Sequence, residues 1–262
     1  MRINHEQRQH LLQRYAGKFQ VDEESYGTVR DYCDSCDHLP FLSSIQGDLK
    51  DFQRPWAVKA ALGLCPHGAA LLEIGAGEPV VASLLAQLGY RVTVVDPYDG
   101  SGKGPTNYQA YCERYPEVTI RREAFSARLS GLLANSFDGV FSISVLEHIV
   151  EPALSVVFEG IQFFLKPGGV SFHAIDHVVA GNDVDFHEQN LARIMAHQTK
   201  LSHGEVSLAL LRHARTQSRF NTDAECYYLS AYGHNLWRGA TSYDEFPFRK
   251  VISILSSVRR PL

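Results

Sequence analysis

Ala70-Leu71-Leu72-Glu73-Ile74-Gly75-Ala76-Gly77-Glu78-Pro79 decides the fold. A short apolar run stops at an acid and two glycines, then meets a proline that can open a helix. That is the pattern of a buried parallel strand, a tight turn and the start of the next helix. Without Cβ atoms, Gly75 and Gly77 let the backbone bend sharply and let a flat or charged ligand approach the N–H groups. A dinucleotide fingerprint would read G-x-G-x-x-G. Here Val80 replaces the third glycine and Glu78 would repel a pyrophosphate, so the turn suits a nucleoside with a cationic or zwitterionic tail.

Moving outward, Pro79–Leu88 reads as a helix closed by Gly89, and Tyr90–Asp96 as a second buried strand. Asp96 ends that strand about 20 residues past the first glycine, where a carboxylate can accept both hydroxyls of a ribose. The plainer role for Asp96 is a turn cap before Pro97. Val118–Arg121 is a third strand leading to Arg122-Glu123-Ala124-Phe125, followed by a helix carrying Leu129, Leu132 and Leu133. Phe137–Ser144 is a fourth strand, apolar enough to be covered on both faces, leaving the sheet at Val145-Leu146-Glu147-His148. A helix from Glu151 buries Leu154, Phe158, Ile161 and Leu165, breaks at Lys166-Pro167-Gly168-Gly169, and gives way to a fifth strand, Val170–Ile175.

The flanks are less regular. Helices are expected over 4–16 and 54–64, the latter with Pro55 at its start, and a short one over 106–114 after the loop 97–105. Between them, 19–49 has aromatics without a period, as either a lid over the site or a brace on the sheet. Beyond Asp176, helices are expected at 187–199 and 204–216, and strands at 224–230 and 249–257. The expectation is one domain over 1–262: an N-terminal addition (1–64), a core (70–175), an insertion (176–223) and closing strands (224–262).

Composition excludes several classes. The 262 residues are 45% apolar with net charge −4, so a full core is available and no basic surplus invites nucleic acid. No run is long and apolar enough for a membrane span and the start is polar, which leads to the expectation of a cytoplasmic protein. Five cysteines form no disulfide framework. Cys33-x-x-Cys36 with Cys65 and His67 could hold zinc, but a second C-x-x-C is missing and reduced thiols are expected.

Four stretches resemble, in order, the class I S-adenosylmethionine-dependent methyltransferase family: Leu72–Gly77, Val94–Asp96, Phe137–His148 and Leu165–Val170. The resemblance implies an α/β, doubly wound, Rossmann-like sheet of seven mostly parallel strands with an antiparallel last strand. It implies S-adenosyl-L-methionine as cofactor, its amino-acid portion against Gly75 and Gly77 in the turn that includes Glu73 and Ala76. Asp96, followed by Pro97, would hold the ribose, and Glu123, Ala124 and Phe125 would frame the adenine, although the family usually has Asp where Glu123 stands. Ser144, Val145 and Leu146 would lie near the sulfonium.

Methyl transfer from a sulfonium asks the protein to align two reactants and, for a poor nucleophile, to remove a proton. His177 is the first candidate base; His148 and His234 follow. The fourth strand ends neither in Asn-Pro-Pro-Tyr, which would mark base-amine methylation, nor in an aspartate that could hold Mg2+ with Asp176, Asn182 or Asp183. Metal-independent transfer to an oxygen or nitrogen of a small molecule is therefore expected. The rival readings are a cofactor-binding module without catalysis and a protein or RNA methyltransferase; a nicotinamide oxidoreductase ranks last for want of the third glycine.

Overall fold

The buried run Ala70–Ile74 does become an interior strand of a seven-stranded sheet. The computed structural model describes residues 2–19, 24–43, 48–101, 104–181, 183–204, 226–228 and 249–262. In chain order its elements are α1 (His5–Tyr15), β1 (Glu24–Tyr26), α2 (Val29–His38), α3 (Lys50–Leu64), β2 (Ala70–Ile74), α4 (Val80–Gln87) and β3 (Arg91–Asp96). Then follow α5 (Tyr108–Arg114), β4 (Thr119–Arg122), β5 (Phe137–Ile143), α6 (Ala153–Phe164), β6 (Leu165–Gly181), α7 (Val184–Leu201) and β7 (Arg249–Arg259).

The strand order is β1-β7-β6-β5-β2-β3-β4. The pairs β2–β3, β3–β4, β2–β5 and β5–β6 are parallel, and β7 runs antiparallel to β6 and to β1. The sheet is thus the mostly parallel, doubly wound one expected, with β7 reversed. One face packs against α3 and α4 through Trp56, Leu84, Phe141 and Phe172, the other against α6 and α7 through Phe158, Ile161, Ile175 and Ile194. Since α4 covers one face and α6 the other, the winding reverses between β2 and β5, and their carboxyl ends part into a crevice.

Several expectations are corrected. Residues 129–133 form turns rather than a helix: Gly131 and Asn135 take positive φ (+71° and +52°), and the Arg121 guanidinium donates to the Ser130 carbonyl at 2.7 Å. Lys166–Gly169 does not separate helix from strand, because β6 begins at Leu165 and Gly168 and Gly169 exchange backbone bonds with Arg260. Helix α3 starts at Lys50, so Pro55 lies inside it; the entry is tightened by bonds from Asp51 N to Asp48 O and Phe52 N to Leu49 O. The sheet's outer strand is β1, from the N-terminal segment; within 224–230 only Cys226, Tyr227 and Tyr228 are described, making isolated bridges to Thr28 and Ile252. The expected helix at 204–216 lies outside the described residues but for its first position.

The described part of 19–49 braces the sheet. β1 pairs with β7, and α2 is tied to α1 and α3 through Asp34. Its carboxylate accepts from Arg14 Nη2 (2.5 Å), Tyr15 OH (2.8 Å) and the buried Lys59 Nζ (2.6 Å).

Candidate active site

The crevice is shaped first by backbone. Gly75 (φ +68°) donates its N–H to Val95 O at 2.9 Å, and a Cβ there would lie 2.8 Å from Val145 Cγ2. Gly77 (φ +58°) donates its N–H to Asp96 Oδ2 at 2.9 Å, while Asp96 Oδ1 accepts from Tyr98 N at 2.9 Å. The Tyr98 hydroxyl closes the loop by donating to Gly77 O at 2.9 Å. Asp96 therefore knits the glycine turn to the end of β3, and each oxygen keeps a lone pair for a further donor.

The resulting cavity, about 480 Å3, holds charges of both signs. From β2 comes Glu73, 2% exposed, with Oε2 lacking any partner; burial pushes its carboxyl up to about 8, against the pull of Arg54 and Lys50. Lys50 and Arg54 enter one turn apart from α3. No hydrogen bond or ion pair holds the Arg54 guanidinium among the described residues. Glu78, at the rim, already accepts from Arg114 Nη1 (2.7 Å) and the Tyr115 hydroxyl (2.5 Å).

The other wall is the end of β5. Ser144 takes φ +50°, a left-handed conformation costing a non-glycine residue on the order of 1 kcal/mol, and its surroundings hold it there. Its N–H donates to Ala174 O at 2.9 Å. Its Oγ lies 2.7 Å from Gln53 Oε1 and 2.9 Å from Asp176 Oδ1, while Gln53 Nε2 donates to Asp176 Oδ1 (2.5 Å) and Ser253 Oγ (2.9 Å). Behind them the buried Glu147 accepts from Asp176 N at 3.2 Å; burial and the neighbouring Asp176 hold its carboxyl well above the usual range. Burial lowers the Lys50 ammonium, opposed by Asp176 and Glu147.

The structure thus brings Glu73, Gly75, Ala76, Gly77, Ser144 and His148 to one cavity, with Asp96 adjoining through Gly77. Pro97, Glu123, Ala124, Phe125, Val145 and Leu146 do not line it. Glu123 is occupied by Arg121 (2.5 and 3.0 Å), Phe125 packs 6.0 Å from Phe164, Leu146 is fully buried, and Val145 backs Gly75.

His177 is not brought to the cavity. Side chains alternate along β6, so Phe172, Ala174 and Asp176 face α3 whereas Ile175, His177 and Val179 face α7. His177 is 1% exposed with Nδ1 unpartnered, and burial pulls its ring down to about 4. His234 lies outside the described residues, and among those described no three His, Cys, Asp or Glu side chains converge as a metal set. Sequence reading missed Lys50, Gln53 and Arg54; the available signal was their i, i+3, i+4 spacing on the helix before β2, which puts three polar groups on one face.

Residues 72–173 match a family described as a methyltransferase domain. The ubiquinone biosynthesis O-methyltransferase of Caulobacter vibrioides is 30% identical over 126 residues, covering 48% of this chain and 46% of that protein. The enzyme of that name from Methylocella silvestris is 35% identical over 113 residues, covering 41% and 40%. The match spans less than half the length of these relatives. Among solved structures, phosphoethanolamine N-methyltransferase 2 of Haemonchus contortus is similar at 16% identity and a TM-score of 0.49, covering 99% of this chain and 75% of that one.

Proposed function

We propose that this chain, whose residues 72–173 match a methyltransferase domain, is a class I S-adenosylmethionine-dependent enzyme that moves a methyl group from that cofactor to an oxygen or nitrogen of a small molecule. The observation that carries this reading is the buried Glu73 carboxyl, whose Oε2 has no hydrogen-bond partner, in one cavity with an Arg54 guanidinium unpaired among the described residues, beside a glycine turn. A zwitterionic amino-acid tail has the matching charges, its ammonium for Glu73 and its carboxylate for the planar fork of Arg54. Gly75 and Gly77 bend the turn so that its backbone lines the cavity, and Asp96, bonded to Gly77 N, has lone pairs left for the ribose hydroxyls.

The cofactor supplies an electrophilic methyl group; the chain supplies alignment. Ser144 and His148 form the wall across from the glycine turn, and the acceptor enters between them and Lys50. The transfer is metal-independent in this reading, because Asp176 Oδ1 is already held by Gln53 and Ser144 and the strand exit offers a serine in place of an acid. Full turnover in excess chelator is expected; loss of activity there, restored by a divalent cation, overturns that part.

The decisive test is thermal stabilisation by S-adenosylhomocysteine. At about 100 times its dissociation constant it should add about 2.7 kcal/mol, NAD should add nothing, and Asp96→Asn should abolish the shift. Stabilisation by NAD instead, or by neither, overturns the assignment.

A further inference from the structure

Lys50 lines the cavity, Asp176 stands directly behind Ser144 and Glu147 behind Asp176, and the roles assigned so far use none of their proton chemistry. Asp176 is the best placed. Gln53 Nε2 at 2.5 Å and Ser144 Oγ at 2.9 Å fix its Oδ1, so the carboxylate cannot rotate away, and Ser144 itself lines the cavity. Oδ2 accepts no hydrogen bond among the described residues, and the residue is half-buried, one hydrogen bond behind the cavity's Ser144. A base held by a second group that is itself held by the fold is the arrangement proton abstraction requires.

We propose that Asp176 is the catalytic proton acceptor of the methyl transfer and that the acceptor atom is a hydroxyl oxygen. This rests on the methyltransferase reading above and deepens it. As the acceptor oxygen's lone pair forms the bond to the methyl carbon, the carbon–sulfur bond breaks with its electron pair left on sulfur, and the hydroxyl proton passes to Asp176 Oδ2.

The surrounding charges select oxygen over nitrogen. Lys50 lines the cavity beside Asp176 and Glu147, whose carboxyl burial holds well above the usual range, while Arg54 and Glu73 are taken by the two ends of the cofactor's tail. An oxyanion developing as the proton leaves is stabilised by the Lys50 cation, which gives no such help to the transient ammonium of an amine acceptor. The other titratable groups facing the site are Glu73, Glu78, Tyr111 and His148, which line the cavity, and His187, which lies beside Asp176.

The test uses 4-nitrocatechol, whose absorption separates neutral phenol from phenolate, added to the protein saturated with S-adenosylhomocysteine at a pH where the free probe is neutral. The wild type should bind it with the phenolate spectrum, and Asp176→Asn should bind it with the neutral spectrum while keeping wild-type affinity for S-adenosylhomocysteine. Methyl transfer to the same probe should fall about 100- to 10,000-fold in Asp176→Asn. A phenolate spectrum that survives Asp176→Asn and disappears in His148→Asn moves the role to His148 and overturns the proposal. Failure of the probe to bind the saturated protein overturns it too. Failure of S-adenosylhomocysteine to bind the wild type overturns the methyltransferase reading itself.

Discussion

Glu73 shows how one side chain can couple ligand recognition to solution pH. Burial raises its carboxyl to about 8, so at neutral pH it holds a proton that an ammonium ligand must displace. Binding of S-adenosylhomocysteine at pH 7 should therefore release about one proton, and affinity should rise with pH up to about 8 and then level off. Calorimetry in buffers of different ionisation heat measures the release directly, and Glu73→Gln should abolish it. Gly75 makes a second case. Its φ of +68° and the 2.8 Å approach of Val145 to a built Cβ mean that Gly75→Ala should cost about 1–3 kcal/mol, read by urea denaturation, and weaken cofactor binding along with it.

Helix α3 carries most of what the sequence concealed. Arg54→Ala removes a charged fork from the cavity and should weaken S-adenosylhomocysteine binding about 10- to 100-fold in calorimetry, with stability unchanged. At its far end Lys59 is buried against Asp34, so Asp34→Ala strands an ammonium and should cost on the order of 3 kcal/mol in denaturant unfolding. Burial pushes the Asp34 carboxyl up, but hydrogen bonds from Lys59, Arg14 and Tyr15 outweigh it and hold the group below the ordinary carboxylate range. That stability is present above the ordinary range and is lost as pH falls below it through the depressed carboxyl, so the difference between wild type and Asp34→Ala should shrink only in strong acid.

The strands β2, β3 and β5 were legible because each is a short apolar run bounded by glycine or acid, a local signal. Strand β1 was not, since three residues become a strand only through pairing with β7. The leucines at 129, 132 and 133 copy a helical spacing that Gly131 refuses at φ +71°. In the site, the glycine turn and Asp96 could be read from their own neighbourhood. The proposed base could not: His177 stands out by residue type, while the two-residue period of a strand that continues to Gly181 gives the α3 side to Asp176. Gln53, Ser144 and Asp176 meet only after folding, which no window of sequence displays.

At the scale of the molecule, the sheet is sealed at one end by a strand from the opposite end of the chain. Glu24 pairs with Ser256 and Tyr26 with Ile254. Deleting residues 1–26 should bare the outer edge of β7 and lead to association, visible by light scattering, while the glycine turn stays intact. The same pairing sets a timetable for biosynthesis. At about 5–20 residues per second, the ribosome delivers the partner of Glu24 roughly 10–50 s after Glu24 itself. Until then the nascent N-terminal segment has no place in the sheet, so slowing translation late in the message should lengthen the window in which a protease or chaperone can seize it.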